Sequence, residues 1–225
     1  YEDIDIMALQ TIWGESKSTK ILDFNEGNGL FMSGERKTLF VDGNHSNFYV
    51  VQSEGSGSNI TVNGPKGWQI TGSNIGTDTI IGFKRLEFND GTLALDIDPG
   101  DTAGQAYRLY QAAFARTPDM PGVAYHMNDM EVNGLVLWNI ANNFLASPEF
   151  KSKYGENPTD EEYVNLLYQN VLGRSADPVA EVGWYREQFD TGAMDWAAAL
   201  IGFAESPENV TLVAPQIVDG IWMPF

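Results

Sequence analysis

Cysteine is absent from this chain of 225 residues, which excludes disulfide scaffolds, thiolate metal sites and thiol catalysis. Histidine is nearly absent: His45 and His126 are the two, they fall in different halves, and no His-x-x-x-His or His-Glu pairing offers zinc a site. Basic residues are scarce as well, 13 Lys and Arg against 31 Asp and Glu, for a formal net charge of −18. Affinity for nucleic acid comes from neutralising phosphates, so a nucleic-acid partner is excluded, and an anionic membrane surface with it. No apolar run approaches the roughly 18 residues of a membrane span. There is no initiator Met, and the opening Tyr1-Glu-Asp-Ile-Asp5 has neither the basic nor the apolar region of a secretory signal. The chain therefore reads as a fragment or a processed product.

What is present suffices for a core: 43% of the residues are hydrophobic. The acidic excess is spread out, with 14 acids and 7 bases in residues 1–98 and 17 acids and 6 bases in residues 99–225, net −7 and −11. That pattern is a solvated acidic surface suited to cation binding and high salt, rather than a disordered tail. The two stretches differ in period. Up to residue 97 the sequence is short and β-like, with strands expected at 20–24, 38–41, 48–52, 59–62, 67–72, 78–81, 86–88 and 92–97. Turn signals separate them, among them Asn89-Asp-Gly91, whose Asn and Gly tolerate the positive φ of a tight hairpin. Asp98-Pro-Gly-Asp-Thr102 is the boundary, where Asp101 or Thr102 can N-cap a helix. Beyond it the period is helical, and helices are expected at 103–115, 121–130, 135–145, 160–172, 181–189 and 196–205. Thr159-Asp-Glu-Glu162 has the form of a capping box.

The helical stretch is written twice. Leu109-Tyr-Gln-Ala-Ala-Phe-Ala-Arg-Thr-Pro-Asp119 returns as Leu167-Tyr-Gln-Asn-Val-Leu-Gly-Arg-Ser-Ala-Asp177, 58 positions on. Phe144-Leu-Ala-Ser-Pro-Glu-Phe150 returns as Phe203-Ala-Glu-Ser-Pro-Glu-Asn209, 59 positions on, so one residue is inserted between. Such an internal repeat governs the expected fold, because two stacked units share a core that neither closes alone. The fold expected is α+β. An N-terminal all-β domain, a sandwich or β-roll, covers 1–98. An all-α domain of two tandem helical repeats, about 103–155 and 160–213, fills 99–225 and ends in an apolar tail.

The repeated segments resemble a bacterial family known as domain of unknown function 4214. Its pattern runs Leu-Tyr-x-x-x-Leu-x-Arg-x-Pro-Asp, then Gly-Leu-x-Tyr-Trp, then Phe-x-x-Ser-x-Glu-Phe. The first copy carries it through Leu109, Tyr110, Phe114, Arg116, Pro118, Asp119, Gly122, Tyr125, Phe144, Ser147, Glu149 and Phe150. The second does so through Leu167, Tyr168, Leu172, Arg174, Asp177, Gly183, Trp184, Tyr185, Phe203, Ser206, Glu208 and Asn209, departing at Ala176 and in the expanded turn 179–181. The resemblance brings no defined activity. The stretch 76–96 is similar to the segment that closes calcium-binding repeat arrays in type I secreted, RTX-like proteins, but the Gly-Gly-x-Gly-x-Asp nonapeptide itself is missing. The end, Asp219-Gly-Ile-Trp-Met-Pro-Phe225, is similar to a type I secretion signal. These resemblances imply a secreted protein of the bacterial cell surface, of adhesin or surface-layer type.

Candidate binding residues follow from side-chain chemistry. Arg116 with Asp119 and Arg174 with Asp177 present guanidinium forks for an anion or sugar; the competing reading is that each pair closes its own interhelical turn. Trp68, Tyr125, Trp138, Trp184, Tyr185, Trp196 and Trp222 all offer flat faces that could stack on sugar rings, the competing reading being that such aromatics at helical spacing are core. Trp184 and Tyr185 are better candidates than Tyr125 and His126. Ser147-Pro-Glu149 and Ser206-Pro-Glu208 read as helix caps rather than catalytic serines. Asp96, Asp98 and Asp101 form the best hard-cation cluster, for Ca²⁺ as an optional cofactor, although they lack the EF-hand order and the competing and preferred reading is a solvated, helix-capping loop; Asp42, Asn44 and Asn47 form a weaker one. No nucleophile–base set stands out, so a non-enzymatic module is expected. Its partner would be surface polysaccharide or copies of itself; an accessory domain of an extracellular hydrolase is the alternative from another class.

Overall fold

The computed structural model describes residues 84–88 and 91–224, together with the strand segments 20–23, 39–41, 47–50, 59–62, 68–72 and 76–81. The chain divides into two compact units, residues 1–95 with 222–225, and residues 96–221.

The strands of the first unit are β1 Lys20–Asp23, β2 Leu39–Val41, β3 Asn47–Val50, β4 Asn59–Val62, β5 Trp68–Gly72, β6 Gly76–Ile81, β7 Arg85–Phe88, β8 Gly91–Ala94 and β9 Ile221–Pro224. They are ordered β1-β6-β5-β4 and β2-β3-β7-β8-β9. β1 pairs with β6 and β3 with β7 in parallel, whereas β4–β5, β5–β6, β2–β3 and β7–β8 are antiparallel. The segment read as an apolar tail is thus strand β9, set beside β8. The first two residues of the Asn89-Asp-Gly91 turn, and the Asp42–Asn44 part of the weaker cation cluster, lie outside the described residues.

The second unit is helical. Its eight helices among the described residues are α1 Thr102–Phe114, α2 Met120–Glu131, α3 Leu137–Ala146, α4 Pro148–Tyr154, α5 Asp160–Leu172, α6 Glu181–Asp190, α7 Trp196–Ala204 and α8 Pro207–Ile217. Local chemistry sets where most of them begin. Ser147 and Ser206 accept from the backbone N–H of Phe150 and Asn209, both at 3.1 Å, with proline in the next position. These caps open α4 and α8, two helices missing from the expected set. Thr159 and Glu162 close the capping box: Thr159 Oγ1 accepts from Glu162 N at 3.2 Å and Glu162 Oε2 from Thr159 N at 2.8 Å. α1 and α5 stop the same way, at a left-handed residue, Ala115 with φ 50° and Gly173 with φ 68°.

α1, α3, α5 and α7 are the inner helices. α1 packs on α3, α5 and α7, and α7 also on α3 and α5, while α2 lies on α1 and α6 on α5. Leu109, Leu167 and Leu200 are completely buried at their centre. Phe114, Phe144 and Phe203 are buried too, but Leu172, which aligns with Phe114, is half-buried. Two tyrosine hydroxyls cross between elements far apart in sequence: Tyr154 donates to the Ala112 carbonyl at 2.7 Å and Tyr163 to that of Trp196 at 2.8 Å. Burial drives the hydroxyl pKa of both upward, so each remains a neutral donor.

Candidate functional site

Arg116 follows the left-handed turn that ends α1, and the geometry aims its fork back across the helices. Its Nε donates to Glu149 Oε1 at 2.6 Å and its Nη2 to Glu149 Oε2 at 3.3 Å, the carboxylate standing in the first turn of α4. Nη1 and Nη2 each reach Asp119 Oδ2 at 3.3 Å, and Nη2 also donates to the Tyr110 hydroxyl at 3.1 Å. Tyr110 in turn donates to Asp119, whose carboxyl this bond, with help from Gly122 N and Arg116, holds below its ordinary pKa. The guanidinium sits 5.1 Å over the Tyr110 ring. Asp119 Oδ1 also caps α2 by accepting from Gly122 N at 2.9 Å. A Cβ on Gly122 would come within 2.6 Å of the Tyr110 ring, so glycine is what lets α2 approach it.

The other half builds the same clasp with a different acid. Arg174 grips Glu208 through Nε and Nη2, at 2.8 and 3.0 Å, and its guanidinium lies 4.6 Å over the Tyr168 ring. Its second partner is Glu181, met by Nη1 and Nη2 at 3.0 and 2.9 Å, and not Asp177, as the sequence pairing had it. Asp177 spends its Oδ1 on Val179 N and Ala180 N, at 2.9 and 2.7 Å, which bends the chain through the expanded turn. The inserted residue thereby delivers Glu181 to the place that Asp119 holds in the first half. The Arg174 fork draws the Glu181 carboxyl down to about 2, and lowers that of Glu208 as well. Gly183, which the family pattern matches to Gly122 although it lies two residues past the offset of the neighbouring rings, makes no such close approach; a Cβ there would meet only the Pro178 carbonyl, 3.9 Å away. In both clasps carboxylates of the same unit engage the donors of the guanidinium, so the arginines brace helix junctions.

Aromatic rings recur in matched pairs. Tyr125 and Trp184 stand out from α2 and α6, 63% and 47% exposed, each edge-on to the ring that follows it. The centroids are 5.1 Å apart for Tyr125–His126 and 4.9 Å for Trp184–Tyr185, at interplanar angles of 86° and 85°. The following ring points inward: His126 meets Phe144 edge-on at 4.6 Å, and Tyr185 stacks on Phe203 at 5.3 Å. Trp184 therefore stays half in solvent, while Tyr185 is half-buried packing beside it. Burial lowers the His126 pKa, although its Nδ1 lies 3.5 Å from Asp129 Oδ2. Trp138 and Trp196, open in the sequence to either a sugar-face or a core reading, differ from one another. Trp196 stacks on Tyr163 at 4.4 Å and donates to Asp160 at 2.7 Å, whereas Trp138 is 46% exposed and donates its indole N–H to Asp195 at 2.8 Å.

The acidic turn before α1 is organised by a cation of the chain itself. Asp101 occupies the N-cap position without a side-chain cap bond, and Asp96 caps instead, its Oδ2 accepting from Ala103 N at 3.2 Å. Arg108, 1% exposed, donates to the carbonyls of Ile97 and Asp98 at 2.8 and 3.1 Å and grips Glu205 at 2.6 and 2.9 Å. Glu205 Oε2 accepts from Gly100 N at 3.1 Å. Asp96, Asp98 and Asp101 are not gathered around one point: among the described residues no group of three or more His, Cys, Asp or Glu side chains is arranged to hold a metal ion.

Sequence reasoning named the two arginines and Trp184, and the caps at Ser147, Thr159 and Ser206 stand where it put them. It missed Glu149, Glu208 and Glu181 as the arginines' partners, Arg108 with Glu205, and Trp138 with Asp195. The duplicated Arg and Glu carried a signal for Glu149 and Glu208, which lie 33 and 34 residues beyond their arginines; Glu181 has no such duplicate. Among the described residues no helix is long and apolar enough to cross a membrane. Residues 141–213 match the model of a family described as Domain of unknown function (DUF4214), a match that runs from within α3 to within α8. No curated protein matches the chain.

Proposed function

We propose that this chain is a non-catalytic module of a secreted bacterial surface protein that attaches to polysaccharide through exposed aromatic faces, Trp184 first among them. The observation that carries the reading is the construction at Trp184. An indole stands half in solvent, edge-on to Tyr185, which is itself stacked on the buried Phe203. A ring held by packing beneath it meets a sugar with little further loss of side-chain freedom, and its face gives the apolar contact that pyranose C–H groups favour. The same reading takes residues 103–155 and 160–213 as two copies of one unit and residues 1–98 as an all-β domain ahead of them. Supporting the duplication are the helix order, the paired Arg–Glu clasps and the equivalent exposed rings Tyr125 and Trp184. Single sites of this type bind weakly, so attachment gains strength from several rings on one polymer.

The test is electrophoresis through gels cast with extracted surface polysaccharide, comparing wild type, Trp184→Ala and Tyr125→Ala after each is shown to be folded by circular dichroism. Retardation of the wild type that weakens in Trp184→Ala supports the reading. Wild-type mobility unchanged by every polysaccharide overturns it, as does cleavage of the polymer. Ordered sheets or filaments formed without glycan would put self-assembly in its place.

A further inference from the structure

We infer that Trp138 and Asp195 form a second sugar platform, one that neither half of the helical unit carries alone, and that its ligand is a neutral polysaccharide. This rests on the reading of the module as a polysaccharide binder and adds a site and a ligand class to it. Trp138 lies in the first turn of α3 and Asp195 is the N-cap of α7, helices that pack on each other although 57 residues separate the two side chains. The carboxylate is fixed before it meets the ring: its Oδ1 accepts from Ala198 N at 2.7 Å, and its Oδ2 takes the indole N–H at 2.8 Å. The indole is therefore pinned at its polar edge while 46% of the residue stays in solvent. Trp196 is pinned to an aspartate in the same manner, but Tyr163 covers one face of it and it is partly buried against the core, so it is the less accessible ring.

The geometry selects a hydroxyl-rich ligand. An indole N–H donates in the plane of its ring, so Asp195 lies beside the ring and not above it. An ionised carboxylate has about four lone-pair sites, and two are in use, leaving acceptors at the ring's periphery. A pyranose stacked on the indole directs its equatorial hydroxyls to that periphery, where they donate to Asp195. A cation over the ring face would find the carboxylate to one side and already sharing two donors. Polyanions are disfavoured by Asp195 and by the net −11 of residues 99–225. Neutral glycans remain.

Asp195→Asn is the discriminating change. Two N–H donors, from Ala198 and Trp138, would then converge on an amide with a single oxygen, so either the cap or the pinned ring is lost while the ring itself is retained. The measurement is relative mobility in gels containing hydroxyethylcellulose, galactomannan or dextran, with alginate as the anionic arm and poly-lysine as the cationic arm. Variants are Trp138→Ala, Trp138→Phe, Asp195→Asn and Trp184→Ala, each checked for an unchanged circular-dichroism spectrum. Expected is retardation by at least one neutral polymer and none by alginate. The dissociation constant should weaken several-fold, on the order of 5–10-fold, in Trp138→Ala, the scale of one stacking contact. Trp138→Phe and Asp195→Asn should fall between, with a higher indole mobility by fluorescence anisotropy in Asp195→Asn. Wild-type binding that Trp138→Ala leaves intact but Trp184→Ala abolishes overturns this platform and spares the wider reading. Binding to poly-lysine or alginate in preference to neutral polymers overturns the ligand class. No retardation by any polysaccharide brings down both.

Discussion

In each half of the helical unit a tyrosine meets a phenylalanine edge-on at the junction that an arginine then covers: Tyr110 with Phe144 at 5.6 Å, and Tyr168 with Phe203 at 4.8 Å. The rings supply the burial and the arginine neutralises the acids that begin the neighbouring helices. Truncating such a ring removes both transfer free energy and packing, so Phe144→Ala and Phe203→Ala should each cost about 3–5 kcal/mol in urea unfolding. Phe203, which also carries Tyr185, should stand at the upper end. Acid should act on the clasps. The folded pKa of Glu181 is about 2, below its ordinary 4.5, and those of Glu208 and Asp119 are lowered in the same sense. The folded state then binds fewer protons than the unfolded one in this range, so the contribution is complete above about pH 4.5 and is lost as pH falls toward 2. Thermal melts from pH 6 to pH 2 should show that decline; Glu181→Gln should begin less stable and decline less steeply. A variant as acid-sensitive as the wild type would assign the decline to other carboxyls.

At the scale of elements, helix ends decide the architecture. Asp96 satisfies a backbone donor of α1, so Asp96→Ala should cost about 1 kcal/mol. Asp98→Ala, which removes an exposed carboxylate, should stay within about 0.5 kcal/mol in the same denaturation series. Equal losses would mean that the Asp98 side chain does more in the turn than the structure shows. The ends of α1 and α5 make a second comparison. Gly173 enters the left-handed region freely, but Ala115 holds φ 50° with a Cβ. A left-handed alanine costs roughly 1–2 kcal/mol, and glycine returns about 0.4–1 of that through its looser unfolded chain. Ala115→Gly should therefore raise the melting temperature slightly, and a fall would show that the methyl group packs more firmly than the turn is strained.

The helical unit is closed by one buried ion pair that joins its beginning to its end. Arg108 in α1 holds the turn 97–98 with one edge and Glu205, at the start of the α7–α8 junction, with the other. Neither residue has a counterpart of its own type at the matching place in the other half, where Leu166 and Ala146 stand. The pair is thus a device of the assembled helical unit. Removing one member of a buried pair leaves the other charge unmatched, so Arg108→Ala should cost about 3–5 kcal/mol. Arg108→Met, which keeps bulk, should lose most of that as well, because Glu205 and two carbonyls are still orphaned. A near-neutral Arg108→Met in chemical denaturation would show that water replaces the guanidinium readily.

By itself the sequence determined what depends on neighbours along the chain. The start of α5 was legible in Thr159 with Glu162, and the caps Ser147-Pro148 and Ser206-Pro207 were legible although the helices α4 and α8 that they open were not expected, because a cap is made within three residues of the backbone it serves. The helical period after residue 102 and the recurrence of Tyr110 as Tyr168 were legible for the same reason. Tertiary structure alone decided which acid each arginine grips, since Glu149 and Glu208 lie 33 and 34 residues beyond their partners. It decided that one inserted residue hands the role of Asp119 to Glu181, and that Tyr185 turns inward while Trp184 and Trp138 stay open. A helical period says that rings share a face; which face meets water is fixed only when another helix arrives to cover it.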